Sequence, residues 1–233
     1  MTEFVFPPPA LSSVAVAGSA QRYPVHRIYC VGLNYAAHIK ETGADPTAPP
    51  VFFMKPADAV VTNGAAIPYP PATNNFHYEI ELVVALGSGG RDLAAEQARS
   101  HVFGYAAGND LTRRDLQSAA RKRGQPWDTS KGFDFSAPVA AIRPASHGHL
   151  ERGRIWLEVN GETRQDGDIS DMVWDVPHII AALSQLYALQ AGDLIFTGTP
   201  SGVGPLRPGD RLEGGIAGLE VLRNTISGAE RGM

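Results

Sequence analysis

Residues His77 to Gly87 read His-Tyr-Glu-Ile-Glu-Leu-Val-Val-Ala-Leu-Gly, and every even position from Tyr78 to Leu86 is apolar. A period of two predicts a strand with one face in a core. Side chains alternate along a strand, so Glu79 and Glu81 share the other face, with Cα atoms roughly 6.5–7 Å apart. Carboxylates held that close repel, and one stays protonated unless a cation sits between them. A hard divalent ion with oxygen ligands resolves the conflict and brings chemistry with it. The plainer alternative is an exposed sheet face carrying two solvated glutamates.

The other segments point to the same sheet-rich architecture. In 233 residues there are 25 Gly and 18 Pro, which mark short strands and frequent turns rather than a helical bundle. Strands are expected at Val14–Gly18, Val25–Gly32, Phe52–Lys55, Phe103–Gly108, Leu194–Thr197, Arg211–Glu213 and Leu219–Ile226. Asn160-Gly161, between Ile155–Val159 and Glu162–Gln165, is the strongest hairpin signal. Helices are expected at Asn34–Glu41, with Asn34 as N-cap and Gly43 as terminator, and at Leu93–Val102, with Asp92 as cap. Thr112 to Asp115 resembles a capping box opening a helix that stops before Gly124. The longest helix starts at Asp175-Val176-Pro177, with a stripe of Ile179, Ile180, Leu183, Leu186 and Tyr187, and closes at Gly192. Residues 1–24 form an apolar, proline-rich arm with short strands. Residues 25–233 form one domain.

Several function classes lack support. The net charge is −4 and no long basic run occurs, so nucleic acid is not an expected partner. No run of about 18 apolar residues exists to span a membrane. The start, Met1-Thr2-Glu3-Phe4, lacks the regions of a signal peptide, and a cytoplasmic protein is expected. The single Cys30 lies in an apolar run and reads as a buried small hydrophobe. Serine-hydrolase and zinc-protease motifs do not occur.

Five further groups carry possible chemistry. Asp110, at a strand-to-helix junction, completes a three-carboxylate set with Glu79 and Glu81. His38 and Glu41 share a helix face at i, i+3, the arrangement of a histidine base oriented by a carboxylate, or of an ordinary surface pair. Arg114, Gln117 and Ser118 share a face that suits a substrate carboxylate. Lys131 lies in a loop without clear pattern, where it could stabilise an oxyanion as a catalytic residue or be simply solvated, and Thr197 to Pro205 is a glycine-rich turn whose N–H groups and threonine hydroxyls can face a ligand. The element after Asn34, with the proline-rich loop 45–50, reads as a possible lid.

Taken in order, these pieces resemble the fumarylacetoacetate hydrolase family over about residues 25–226. The resemblance rests on Tyr29 to Tyr35 followed by His38 and Glu41, on Phe53-Met54-Lys55-Pro56, and on His77 to Glu81. Asp110 to Asp115, Lys131 to Asp134, Val159 to Glu162 and the Thr197–Pro205 loop continue it. Within the family the chain is most similar to the short acylpyruvate hydrolases, especially those that act on fumarylpyruvate in aromatic-compound degradation. The Phe4–Pro9 arm and Pro126-Trp127-Asp128 point that way.

The resemblance implies an α+β, β-rich fold, a mixed β-sandwich roll of the fumarylacetoacetase C-terminal-domain type, and a homodimer. It implies Mg²⁺ or Mn²⁺, with Ca²⁺ an alternative, on Glu79, Glu81 and Asp110. His38 and Glu41 would activate water and Lys131 would lie near the metal, while Arg114, Gln117 and Thr199 would contact substrate. The implied reaction is hydrolysis of the C–C bond of a 2,4-diketo acid to pyruvate and a carboxylic acid. The alternatives are oxaloacetate decarboxylation or tautomerisation, isomerisation or decarboxylation of a homoprotocatechuate-type diketo acid, and a metal-binding domain without catalysis. Leu33 stands where the family usually has arginine, which removes a charge and five donors.

Overall fold

The computed structural model describes residues 3–42, 45 and 49–228. The expected terminator Gly43 lies outside them, as does most of the loop 45–50. The Ile80–Leu86 strand runs through the middle of an eight-stranded sheet. Its neighbours are Leu194–Phe196 on one side and Val102–Asn109 on the other, both antiparallel. Beyond Leu194–Phe196 come Ile28–Gly32, in parallel pairing, and then Val51–Lys55 at the edge. Beyond Val102–Asn109 lie Ala137–Val139 and, parallel to it, Val60–Thr62. A five-stranded sheet packs against this one in the order Glu162–Asp168, Arg154–Val159, Arg211–Ile216, Leu222–Ser227 and Ala66–Pro68. The helices are α1 (Ala36–Thr42), α2 (Ala95–Ala98), α3 (Arg114–Arg123), α4 (Asp128–Lys131) and α5 (Val176–Leu186). The mixed, β-rich fold expected from the sequence is the one observed, and among the described residues no helix is long and apolar enough to cross a membrane.

The central strand differs from its sequence reading in one instructive way. Ile80, Leu82 and Val84 pack with Ile155, Leu157 and the α5 residues Ile179, Ile180 and Leu183. The opposite face, Val83 and Ala85, is equally buried, against Phe196, Val14, Val16 and Tyr23. No face of this strand is solvated, and Glu79 and Glu81 are 4% and 2% exposed. The period-two pattern locates the strand but not its second layer. Truncating Leu82 to Ala here is expected to cost about 2–5 kcal/mol, the range for a cavity in a packed core. The strand also breaks at Glu79. Phe76–Tyr78 leaves the large sheet and pairs with Thr112–Arg113 and Gly204–Pro205 in a three-stranded sheet of its own. Glu79 therefore sits at the seam between two sheets.

Local signals fared unevenly. Asn160 and Gly161 have φ of 56° and 82°, the left-handed pair that closes the predicted hairpin. Asp175 caps α5 by accepting the N–H of His178 at 3.0 Å. That helix ends at Leu186, which is exposed, and Gly192 belongs to a later turn (φ 95°). The helix expected over Leu93–Val102 shrinks to α2 and a 3₁₀ turn, and Asp92 (φ 50°) is not its cap. Asn34 does not cap α1. Its amide is buried and donates to the carbonyls of Trp174 and Thr197 at 2.9 and 2.8 Å, while its Oδ1 accepts from the N–H of Trp174. Thr112 likewise leaves α3 uncapped, because its hydroxyl is engaged in the site described next.

Candidate active site

Glu79 and Glu81 reach a cleft at the end of the central strand. Asp110 enters from the end of the neighbouring strand, whose Gly108 lies opposite Glu81. The three carboxylates bring ligand oxygens within 4.8 Å of one another, and all are buried. Such a cluster costs several kcal/mol per uncompensated charge, so cations must face it. Lys131, the last residue of the one-turn helix α4, supplies one. Its Nζ donates to Glu79 Oε2 at 2.7 Å, Asp110 Oδ2 at 2.6 Å and Thr112 Oγ1 at 2.7 Å. All three ammonium protons are thus spent on protein oxygens. Burial opposes its charge, but Asp110 and Glu79 outweigh that and raise its pKa. Arg114 pairs with Glu79 Oε1 and donates to Gln117 Oε1 at 2.5 Å.

Lys55 is a member of this cluster that sequence reasoning left unassigned. It is 2% exposed, with Nζ 2.8 Å from Asp110 Oδ1 and hydrogen bonds to the carbonyls of Leu111 and Lys131. A lysine at the end of the apolar run Val51–Met54 was the available signal. The 2.8 Å approach to Oδ1 is an ion-pair contact without hydrogen-bond geometry, so among the described residues no donor is aimed at that buried oxygen.

Glu81 differs from its partners. Among the described residues its hydrogen bond comes from the N–H of Gly198, at 2.8 Å, and no cation pairs with it. Burial, then Asp110 and Glu79, push its carboxyl well above the ordinary carboxylate range. Glu79 goes the other way, because Lys131 and Arg114 overcome the burial that would raise it. A carboxylate without a counter-charge beside an oxygen without a donor is what a hard divalent cation would satisfy. The donor set, all oxygen, fits Mg²⁺, Mn²⁺ or Ca²⁺ rather than a soft metal.

The glycine-rich turn that follows Leu194–Phe196 aims its backbone at these acids. Gly198 has φ of 97°, and a Cβ there would lie 2.7 Å from Asn34 Cβ. Only glycine supplies this conformation and this clearance, and the result is the N–H on Glu81. Thr199 lines the cleft, held by Gln165 Nε2 at 2.8 Å.

His38 lies across the cleft on α1, 5% exposed. Its Nδ1 is 2.8 Å from Glu41 Oε2, and Glu41 Oε1 in turn accepts from the N–H of Gly202 at 3.3 Å. When Nδ1 carries the proton, Nε2 keeps a free lone pair and can act as a base. Glu41 stands behind the ring and is 38% exposed. Besides the polar groups already named, Leu33, Phe53, Trp127 and Arg121 line the cleft, and Phe53 and Trp127 meet with ring centroids 5.5 Å apart. Leu33, in a left-handed conformation (φ 62°), puts an alkyl group where the resemblance anticipates an arginine. Of the residues singled out from the sequence, Ser118 does not join the cleft and is exposed.

Comparison with known proteins places this arrangement. The family model described as fumarylacetoacetate (FAA) hydrolase C-terminal matches residues 27–227. A fumarylpyruvate hydrolase of Ralstonia sp is 45% identical over 179 residues, 77% of this chain and 93% of the relative. A mitochondrial oxaloacetate tautomerase of Mus musculus is 41% identical over 204 residues, 87% of this chain and 92% of the relative. Among solved structures, the fumarylpyruvate hydrolase of Pseudomonas aeruginosa, in complex with Mn²⁺ and pyruvate, superposes with a TM-score of 0.94 at 50% identity. That match covers 97% of this chain and 99% of the other.

Proposed function

The chain belongs to the fumarylacetoacetate hydrolase family, and on that premise we propose that it hydrolyses the C3–C4 bond of an acylpyruvate, fumarylpyruvate first among them. The products are pyruvate and a carboxylic acid, fumarate for that substrate. The observation that carries the reading is the meeting, in one cleft, of a buried acidic triad and a histidine backed by a carboxylate. The near-complete match to a fumarylpyruvate hydrolase holding Mn²⁺ and pyruvate supports it.

Each residue has a role in this reaction. Glu79, Glu81 and Asp110 would hold Mg²⁺ or Mn²⁺, and the chemistry that such an ion supplies is Lewis-acid polarisation of the keto-acid oxygens. Lys131 and Lys55 neutralise the acids on the protein side and fix their geometry. His38 Nε2 takes a proton from a water that attacks the C4 carbonyl, and Glu41 steadies the imidazolium that results. When the C3–C4 bond breaks, its electron pair goes to C3, which accepts a proton to give pyruvate. Gln117, Thr199 and the remaining donors of Arg114 orient the substrate. A cytoplasmic homodimer in aromatic-compound degradation completes the proposal. The exposed Phe4, Val5 and Phe6 of the arm are apolar surface of the kind a second copy covers.

The decisive experiment follows the ultraviolet absorbance of fumarylpyruvate with Mg²⁺, with and without EDTA, beside an oxaloacetate control. Metal-dependent loss yielding pyruvate and fumarate is expected. Consumption of oxaloacetate alone would favour the second reading, an oxaloacetate tautomerase or decarboxylase, which the 41% identity to the mouse enzyme supports. Decarboxylation needs no attacking water, so it would survive His38→Ala while hydrolysis would not.

A further inference from the structure

The cations lining the cleft are not equally committed. Lys131 spends its protons on Glu79, Asp110 and Thr112, and Arg114 is paired with Glu79 and Gln117. Arg121 lines the same cleft and is exposed at its rim, yet among the described residues it has no ion pair or side-chain hydrogen bond. Arg114, Gln117 and Arg121 follow at i, i+3 and i+7 on α3, so they form one row along one helix face. Two turns of helix separate the two arginines by about 10 Å along the axis. Helical side chains lean toward the N-terminus, which brings the Arg121 guanidinium back over the cleft. Facing this row, Leu33, Phe53 and Trp127 make an apolar wall. The cleft thus has an acidic, cation-lined floor, an apolar middle and a free guanidinium at its mouth.

A molecule complementary to that sequence has a keto-acid head, a short unsaturated or alkyl middle and an anion at its far end. Fumarylpyruvate has seven carbons, and bonds of about 1.5 Å place its two carboxyl carbons roughly 7–8 Å apart when extended. The stretch of helix from Arg114 to Arg121, about 10 Å along the axis, leaves room for a molecule of that length. We propose that Arg121 is a specificity-determining residue that binds the distal carboxylate of the acyl group. The site then prefers acylpyruvates ending in a second carboxylate to those with a neutral acyl chain. This inference rests on the hydrolase reading above.

The test compares kcat/KM for fumarylpyruvate and acetylpyruvate, which lacks the distal carboxylate, in the native protein and in Arg121→Ala, Arg121→Lys and Arg123→Ala. The native protein is expected to prefer fumarylpyruvate. Arg121→Ala is expected to reduce that preference about 10- to 100-fold, the scale of one charge-assisted hydrogen-bonded contact, mainly through KM for fumarylpyruvate. Arg121→Lys is expected to restore part of it, and Arg123→Ala to leave it unchanged. Equal losses on both substrates, or an unaltered preference in Arg121→Ala, would overturn the inference. A native protein that cleaves acetylpyruvate as well as fumarylpyruvate would overturn it too, while leaving the hydrolase reading intact. A native protein that cleaves neither would bring down the hydrolase reading and this inference together.

Discussion

The two walls of the cleft are built to different standards. On one, Glu79, Asp110 and Lys131 are each no more than 4% exposed, lie at strand ends or on α4, and share four charge contacts counting Lys55 and Arg114. On the other, His38 rides a seven-residue helix, and its partner Glu41 is 38% exposed and tied down by one backbone N–H. The first wall must hold like charges together in a low-dielectric interior, where a misplaced group is costly. The second needs only to present one lone pair to one water. The contrast suggests that the acidic wall contributes to stability as well as chemistry, while the histidine wall contributes to chemistry almost alone.

The largest effect should come from breaking the acidic wall. Lys131→Met leaves Glu79 and Asp110 without their shared cation, and urea denaturation should show a loss of about 3–5 kcal/mol together with loss of turnover. A variant with native stability would show that the wall is less tightly coupled than its contacts indicate. His38→Ala should separate rate from folding. Its kcat for acylpyruvate hydrolysis should fall about 10²–10⁴-fold, with a stability change of only about 1 kcal/mol. Glu41→Gln keeps the ring's partner but not its charge, and a decrease of about tenfold in kcat, with KM unchanged, is expected. A loss as large as that of His38→Ala would make Glu41 an equal partner in proton transfer.

The smallest effect concerns Asp115, beside the cleft on α3. Burial raises its pKa, but the hydroxyl of Thr73 and the N–H groups of Asn74 and Leu116 outweigh that and lower it. A carboxyl with a lower pKa in the folded state stabilises above its unfolded value, about 3.9, and loses that contribution as pH falls through the folded one. Asp115→Asn should therefore be destabilised by a few tenths of a kcal/mol at pH 7. The gap to the native protein should close below about pH 4.

What the sequence disclosed, and what it hid, follows a physical rule. Alternation located Ile80–Leu86, Asn-Gly located the hairpin, and Asp-Val-Pro located the start of α5, because each signal acts between residues a few positions apart. Asn34 and Thr112 looked like caps for the same reason, yet their partners came from Trp174 and Thr197 in one case and Lys131 in the other. Polar side chains choose the nearest unpaired group in space, and for Asn34 and for the donor to Thr112 that group lay far along the chain. Lys55 stood in one of the motifs of the family resemblance but was given no role on the same ground, since Asp110 is fifty-five positions away. The residues resembling a known family were the exception. Glu79, Glu81, Asp110, Lys131, His38, Arg114, Gln117 and Thr199 all line one cleft, although no local rule joins them.

The turn that begins at Thr197 touches both walls. Gly198 holds Glu81 and, four residues on, Gly202 holds Glu41 behind His38. In a machine, the gap between two faces is most reproducible when both are gauged from one part, because tolerances do not accumulate through intermediate pieces. Here the span between the acids and the base is referenced to a single short stretch of backbone rather than to the width of a sheet. A shift of that stretch would carry both faces with it and leave their spacing nearly unchanged.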